Sequence, residues 1–244
     1  MEDAEYRKLA AVEDRMWYFR GLHALIEREL TVAAVGRGLA VLDAGCGAGG
    51  LIRRLAPGHL DWTWSGIDLS PLACALARER TAAQIVEASV GALPFAAESF
   101  DAVVSADVLY HLDDDAAALR EAARVLRPGG VVVVNVPAFP WLWSYHDEAV
   151  HGRRRYRRRE LQDKLRAAGL EPLRATYWNT LLFPLVVARR KLWAAPAGGS
   201  DVQVYSAPVE GLGNLALGLE RAWLGAGLRL PWGSSVFAVG RKPA

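Results

Sequence analysis

The 244-residue chain carries 29 Lys and Arg against 27 Asp and Glu, a formal net charge of +2. That balance excludes a whole-molecule polyanion binder, and the length suits one domain or one domain with an elaboration. Two cysteines, Cys46 and Cys74, are too few for a disulfide framework and form no C-x-x-C motif, so a reducing, cytoplasmic setting is expected. The first 30 residues are charged and lack an apolar signal core. The longest apolar run, Leu181–Ala188, is too short to span a bilayer and ends at Arg189, Arg190 and Lys191.

In chain order, residues Glu2 to Arg15 read as a charged helix. The aromatic trio Trp17-Tyr18-Phe19 with Arg20 follows, then a second helix from about Gly21 to Ala34. Tyr18 and Arg20 are candidates to fold over a ligand, Arg20 toward a carboxylate. The alternative is that the aromatics staple the N-terminal helices to a sheet. VLDAGCGAGG, Val41 to Gly50, then runs from a buried strand (Ala40–Asp43) into glycines and a helix, about Gly50 to Leu55. A strand, a glycine turn and a helix N-terminus make a nucleotide-binding arrangement. Gly45, Gly47 and Gly50 satisfy G-x-G-x-x-G. Asp43, two residues before the first glycine, would repel a pyrophosphate and attract a cationic ligand. S-adenosylmethionine, with its ammonium and sulfonium, fits better than NAD.

A second strand, Trp62–Ile67, ends in Asp68, placed to accept hydrogen bonds from a ribose diol. The competing role for Asp68 and Ser70 is to start the helix Pro71–Arg80. Further strands are expected at Ala83–Glu87, Phe100–Ser105 and Val131–Val136, with a helix over Asp114–Leu126 broken by Pro128-Gly129-Gly130. The alternation of strands and helices predicts a doubly wound, mostly parallel α/β sheet. Pro137–Tyr156 is an aromatic and polar loop opening at the sheet's ligand edge. Then come a helix (Arg158–Ala168), a strand (Leu170–Tyr177), helices over Asn179–Trp193 and Val209–Leu228 joined by a Pro196–Ser200 linker, and a last strand, Ser235–Gly240.

VLDAGCGAGG, GIDLS, ALPFAAESFDAVVSADVLYHL and LRPGGVVVVNVP, in that order, resemble a class I S-adenosylmethionine-dependent methyltransferase over roughly residues 16–178 plus the final strand. The resemblance implies a Rossmann-like, seven-stranded sheet with an antiparallel last strand. It implies one domain over 1–244: an N-terminal helical cap (1–35), a cofactor-binding core (36–178), a helical insertion (179–232), and the last strand and tail (233–244). It places Asp43, Gly45, Cys46 and Gly47 around the methionine part of the cofactor, Asp68 on the ribose, Leu69 on the adenine, and Ala106 as backbone near the ligand. Ser89 stands where the family usually has an acid on the adenine amino group. HDEAVHGRRRY resembles a loop after strand five in a bacterial subset that modifies small molecules, sugars or lipid-linked glycans.

Methyl transfer to a hydroxyl calls for a proton acceptor, and histidine suits neutral pH. His146, His151 and His111 are the candidates, His111 also as a cofactor contact. Tyr110, Trp143, Tyr145, Arg155 and Tyr156 are the candidate acceptor contacts, and no metal is expected. The six arginines around Tyr156 read as an anion site, a membrane-docking patch aided by Leu181–Ala188 and Trp193, or a solvated helix start. A nucleic-acid methyltransferase is disfavoured because Ser105–Tyr110 lacks an Asn/Asp-Pro-Pro-aromatic stretch. A non-catalytic cofactor-binding subunit at a membrane is the reading from another class. A monomer or homodimer, at most peripheral to the inner face of the membrane, is expected.

Overall fold

The computed structural model describes residues 3–193 and 200–244. In chain order the elements are α1 (Asp3–Val12), α2 (Trp17–Ala34), β1 (Ala40–Ala44), α3 (Gly50–Leu55), β2 (Thr63–Asp68), α4 (Pro71–Arg80), β3 (Gln84–Glu87) and β4 (Phe100–Ala106). They continue as α5 (Asp115–Val125), β5 (Leu126–Pro137), α6 (Tyr145–Ala149), α7 (Arg158–Ala167), β6 (Glu171–Trp178), α8 (Phe183–Leu192), α9 (Ala207–Gly225) and β7 (Ser235–Arg241). The seven strands form one sheet in the order β3-β2-β1-β4-β5-β7-β6, and only β7 runs antiparallel to its neighbours.

The apolar runs explain the layering. Val132, Val133, Val134 and Val136 of β5 are buried on both faces of the sheet, as a central parallel strand requires. One core lies under α5 and α7, where Leu119, Leu161 and Leu165 meet Val132 and Val134; the other lies under α2, α3 and α9, where Ile26, Leu30 and Ile52 meet Val41 and Val133. Local signals start the helices. Ser70 Oγ accepts from Ala73 N at 3.3 Å with Pro71 in the first turn, and Asp114 accepts from Ala117 N at 2.9 Å.

Three element starts differ most from expectation, while α1 and α9 end earlier, at Val12 and Gly225. The aromatic trio is the first turn of α2 rather than a loop before it. Strand β5 begins at Leu126, because the Pro-Gly-Gly segment stays extended beside the chain terminus: Lys242 N donates to Gly130 O and Gly129 N to Lys242 O, both at 2.9 Å. Helix α8 starts at Phe183, not Asn179, because Asn179 has φ +57° and Pro184 suits a first turn. The Pro196–Ser200 linker lies, apart from Ser200, outside the described residues.

The chain leaves β1 toward β2 and β3 on one side and returns through β4 and β5 on the other. The crevice at the carboxyl ends of β1 and β4 is therefore the topological switch point, where doubly wound sheets bind ligands.

Candidate functional site

The glycine loop borders that crevice. Gly45 (φ +94°) and Gly47 (φ +52°) adopt conformations that disfavour side chains. A Cβ on Gly45 would collide with Val108, so the loop and the turn after β4 are in contact, whereas nothing lies within 4 Å of a Cβ built on Gly47. The loop is tied to β2 through Gly45 N and Cys46 N, which both donate to Ile67 O at 2.8 Å. Cys46 itself is turned into the core, where burial pushes its thiol pKa up, leaving only its backbone toward the crevice.

Asp43 ends β1 behind this loop. Its carboxylate is buried, and no donor among the described residues is paired with it. Burial, then the nearby Asp68 and Glu13 carboxylates, push its pKa up to about 8. Asp68 is differently placed: Oδ2 accepts from Gly47 N at 3.0 Å, and Oδ1 accepts from Ser70 N at 2.9 Å and from the Tyr6 hydroxyl at 3.1 Å. Asp68 thus supports the helix start and faces the glycine loop. Leu69 beside it is 72% exposed. Ser89 is exposed, with Oγ accepting from Gly91 N at 3.2 Å.

Two acidic-site neighbours come from the N-terminal segment and were not foreseen. Tyr6 of α1 covers Asp68, and the Glu13 carboxylate lies where a Cβ on Gly50 would be, paired with Arg80. Neither has a local sequence signal; only the folding-back of α1 onto α4 brings them in.

A second cluster sits at the ends of β4, β5 and β7. Tyr18 donates to Asp107 Oδ2 at 3.0 Å and lies 3.2 Å from Ser235 Oγ, and its ring stacks on Trp178 at 5.1 Å. Asn135 Nδ2 donates to Asp107 Oδ1 at 2.8 Å, and Trp178 Nε1 donates to Asn135 Oδ1 at 2.7 Å. Asp107 has φ +54°, and burial pushes its pKa up to about 6 against these donors. Asp107, Asn135 and Trp178 escaped the sequence reading. The available signal was Asn135, one polar residue inside a valine run. Ala106 precedes Asp107 and is half-buried beside this network.

Tyr18 therefore reaches the crevice, but Arg20 does not. On a helix the two positions leave about 200° apart. Arg20 lines a cavity of about 270 Å³ on the α2–α9 flank, with Ala24, Arg54, Leu217 and Arg221. Its expected contact to a cofactor carboxylate has no geometric basis here.

The loop after β5 closes over the other side. His111 Nδ1 lies 3.3 Å from the His151 carbonyl, so Nδ1 carries the proton and Nε2 keeps a lone pair. Its ring packs 3.9 Å from that of Tyr110, and burial holds its pKa down to about 4. His146 is opposite in kind. Its Nδ1 accepts from Asp201 N at 3.1 Å, which puts the proton on Nε2, while burial and Arg190 hold its pKa down to about 3. A neutral ring in that tautomer donates and does not take a proton, so His146 does not fit the base role expected of it. His151 is exposed, with φ +55°, and offers its backbone to His111.

The Arg155 side chain is completely buried. Nε and Nη2 bind Asp147 at 2.8 and 3.0 Å, and Nη1 binds Ala138 O at 2.9 Å. Tyr156 is equally buried, its hydroxyl 2.7 Å from Asp115 Oδ2. Both anchor the loop, so the expected acceptor contacts are corrected to structural ones: no polar atom is left to offer. Arg153 pairs with Asp113 at 2.9 Å and Arg154 with Asp115 at 3.6 Å, which removes the anion-site reading from this half of the arginine run. Tyr145 donates to Asp201 Oδ1 at 2.7 Å, and the Trp143 carbonyl accepts from Lys191 at 2.9 Å, so the insertion is latched to the loop. Among the described residues no cluster of His, Cys, Asp and Glu could hold a metal ion.

Residues 42–134 match the family described as Methyltransferase domain. Over 132 residues the chain is 36% identical to a malonyl-[acyl-carrier protein] O-methyltransferase of Enterobacter lignolyticus, covering 51% of this chain and 52% of that protein. The chain thus spans about half the length of the curated relative it matches. Among solved structures, the N-methyltransferase NodS of Bradyrhizobium japonicum, in complex with S-adenosyl-L-homocysteine, aligns with a TM-score of 0.56 at 17% identity over 93% of this chain and 88% of that one. The [4+2]-cyclase SpnF aligns with a TM-score of 0.57 at 22% identity over 89% and 81%. At such identities the structures share the fold.

Proposed function

We propose, from the premise that this chain carries a class I S-adenosylmethionine-dependent methyltransferase domain, that it transfers the methyl group of S-adenosylmethionine to a hydroxyl of a small-molecule acceptor. The observation that carries this reading is the buried Asp43 carboxylate, which has no partner in the chain and borders an open glycine loop. Such a charge is costly unless a cation meets it, and a pyrophosphate cannot. The NodS complex, which holds S-adenosyl-L-homocysteine, supports the donor, and the O-methyltransferase relative supports transfer to oxygen.

Asp43, with the backbone of Gly45 to Gly47, would hold the amino-acid end of the cofactor. Asp68 would take the ribose and Leu69 the adenine face, with Ser89 at its edge. When bound, the cofactor supplies a methyl group already activated on a sulfonium, so the chain's task is to place the acceptor and exclude water. Tyr18, Asp107 and the loop from Trp143 to His151 wall the acceptor side. His111 is the proton acceptor in this reading, because the His151 carbonyl fixes its free lone pair on Nε2. His146 Nε2–H and the Tyr110 ring orient the acceptor.

Calorimetry with S-adenosylmethionine and with NAD separates the donors: binding of the first only is expected, and binding of NAD alone overturns the reading. Mass-shift screening of hydroxylated acceptors then names the substrate. With one in hand, His111→Ala is expected to lower kcat about 100-fold with cofactor affinity unchanged; unchanged kcat removes His111 from the mechanism.

A further inference from the structure

Arg20, Arg54 and Arg221 line one cavity of about 270 Å³, and each comes from a different helix. Arg20 stands in the first turn of α2, Arg54 in the last turn of α3, and Arg221 near the end of α9. Close packing of α2 on α9 forms the cavity wall, since a Cβ on Gly21 would strike Leu217. Nothing lies within 4 Å of a Cβ built on Gly218, so the α9 side of the cavity is open.

The charges around it do not balance. One carboxylate lines the cavity, Glu27, and its Oε1 lies 3.0 Å from His59 Nε2. On the same two helices Arg28 and Arg53 each bond an acid, Glu29 and Asp14, at 2.9 Å. Among the described residues no carboxylate is bonded to Arg20, Arg54 or Arg221. Arg54 is half-buried; its Nε donates to His23 Nδ1 at 3.1 Å and its Nη2 to the Asp14 carbonyl at 2.7 Å. Both acceptors are neutral, because burial, and then Arg54 itself, hold the His23 pKa down to about 3. Burial pulls the Arg54 pKa down, Asp14 opposes that, and Arg20 adds to it. Like charges gathered on a half-buried guanidinium are costly unless an anion joins them.

Three guanidinium forks suit a phosphate group better than a carboxylate. A fork takes two oxygens; a carboxylate has only two to give, whereas a phosphate group presents at least three. The volume falls just below the roughly 300–1,000 Å³ of ordinary small-molecule pockets, which limits the occupant to a small anion. We propose that the cavity between α2, α3 and α9 binds a phosphate group, as the free ion or as a small monoester, through Arg20, Arg54 and Arg221. The bound group would join α3, which starts at Gly50 of the glycine loop, to α2, which carries Tyr18 of the acceptor wall. It lies outside the crevice, so its binding is measured without the methyl donor.

The test is calorimetry of the full chain with sodium phosphate, with glycerol 3-phosphate and with acetate, at matched ionic strength. Saturable binding of the phosphate compounds is expected, with a Tm that rises with their concentration, and the tighter of the two names the source. Arg20→Gln/Arg221→Gln should weaken this binding about tenfold or more, and Arg54→Lys, which keeps the charge and loses the fork, should weaken it several-fold. Arg20 and Arg221 are both exposed, so the double variant should melt no lower than the parent chain without ligand and should keep its S-adenosylmethionine affinity. Equal binding of acetate overturns the phosphate assignment. Phosphate binding unchanged in the double variant puts the ion elsewhere and overturns the proposal, as does absence of phosphate and monoester binding to the parent chain.

Discussion

The two halves of the crevice treat buried charge in opposite ways. On the glycine-loop side, Asp43 is buried with two other carboxylates nearby and no donor of its own. On the side of the loop after β5, Asp147 and Arg155 are buried together with every nitrogen of the guanidinium bonded. Both were plausible binding groups in sequence. The difference teaches that burial does not mark a binding residue; an uncompensated buried charge does, because the fold gains nothing from keeping it.

The largest effect should come from breaking the satisfied half. Arg155→Ala leaves Asp147 buried without its cation, and a loss of about 3–5 kcal/mol in unfolding free energy is expected from denaturant titration. The affinity for S-adenosylmethionine of the molecules that remain folded should be unchanged. If Arg155 bound the acceptor or cofactor instead, stability would hold and turnover would fall.

The unsatisfied half should behave in reverse. Asp43→Asn is expected to weaken S-adenosylmethionine binding about 100-fold, roughly 2.7 kcal/mol by calorimetry. The same change should stabilise the ligand-free protein at pH 8. The folded pKa of Asp43 is raised, so its ionisation opposes folding increasingly as pH climbs from the ordinary carboxylate range toward about 8. The variant escapes that cost, and a gain of about 1 kcal/mol, roughly 2–4 °C in Tm, is expected at pH 8 and none at pH 4. Loss of stability in the variant would place Asp43 with the structural charges.

Linkage gives a smaller, graded effect. A cationic ligand selects the ionised carboxylate, so binding must expel the Asp43 proton below pH 8. Affinity should fall about tenfold per pH unit between pH 7 and 6, and this slope should vanish in Asp43→Asn. The sign is opposite to that expected if a histidine had to be protonated for binding.

Legibility in sequence followed the same division. The sheet was readable because valine runs, glycine turns and Ser-Pro or Asp caps are local signals, and the order of the motifs carried Asp43, Gly47 and Asp68 to one edge. The partners of those residues were not readable. Tyr6 meets Asp68 across 62 positions, and Trp178 meets Asn135 across 43. Asp147 and Arg155 are eight positions apart in a loop with no regular period to bring them together. Arg20 follows three aromatics in sequence, but the Trp17–Phe19 trio begins α2 rather than preceding it, which turns residue 20 away from the crevice.

The smallest expected effect tests where the two halves meet. Asp68 belongs to the glycine-loop side, yet it is partly satisfied, with Gly47 N, Ser70 N and the Tyr6 hydroxyl on its oxygens. A carboxylate offers about four acceptor positions, so one remains. A ribose diol needs two, and the Tyr6 hydroxyl is the donor on a separate element that can yield. Tyr6→Phe should therefore cost about 1 kcal/mol of stability, the worth of one hydrogen bond. It should also strengthen S-adenosylmethionine binding by about two- to fivefold, because the competing donor is gone while the Gly47 and Ser70 amides still orient the carboxylate. Weaker binding in Tyr6→Phe would instead make α1 a lid whose hydroxyl bonds the ligand, and would move Asp68 to the satisfied, structural side of the comparison.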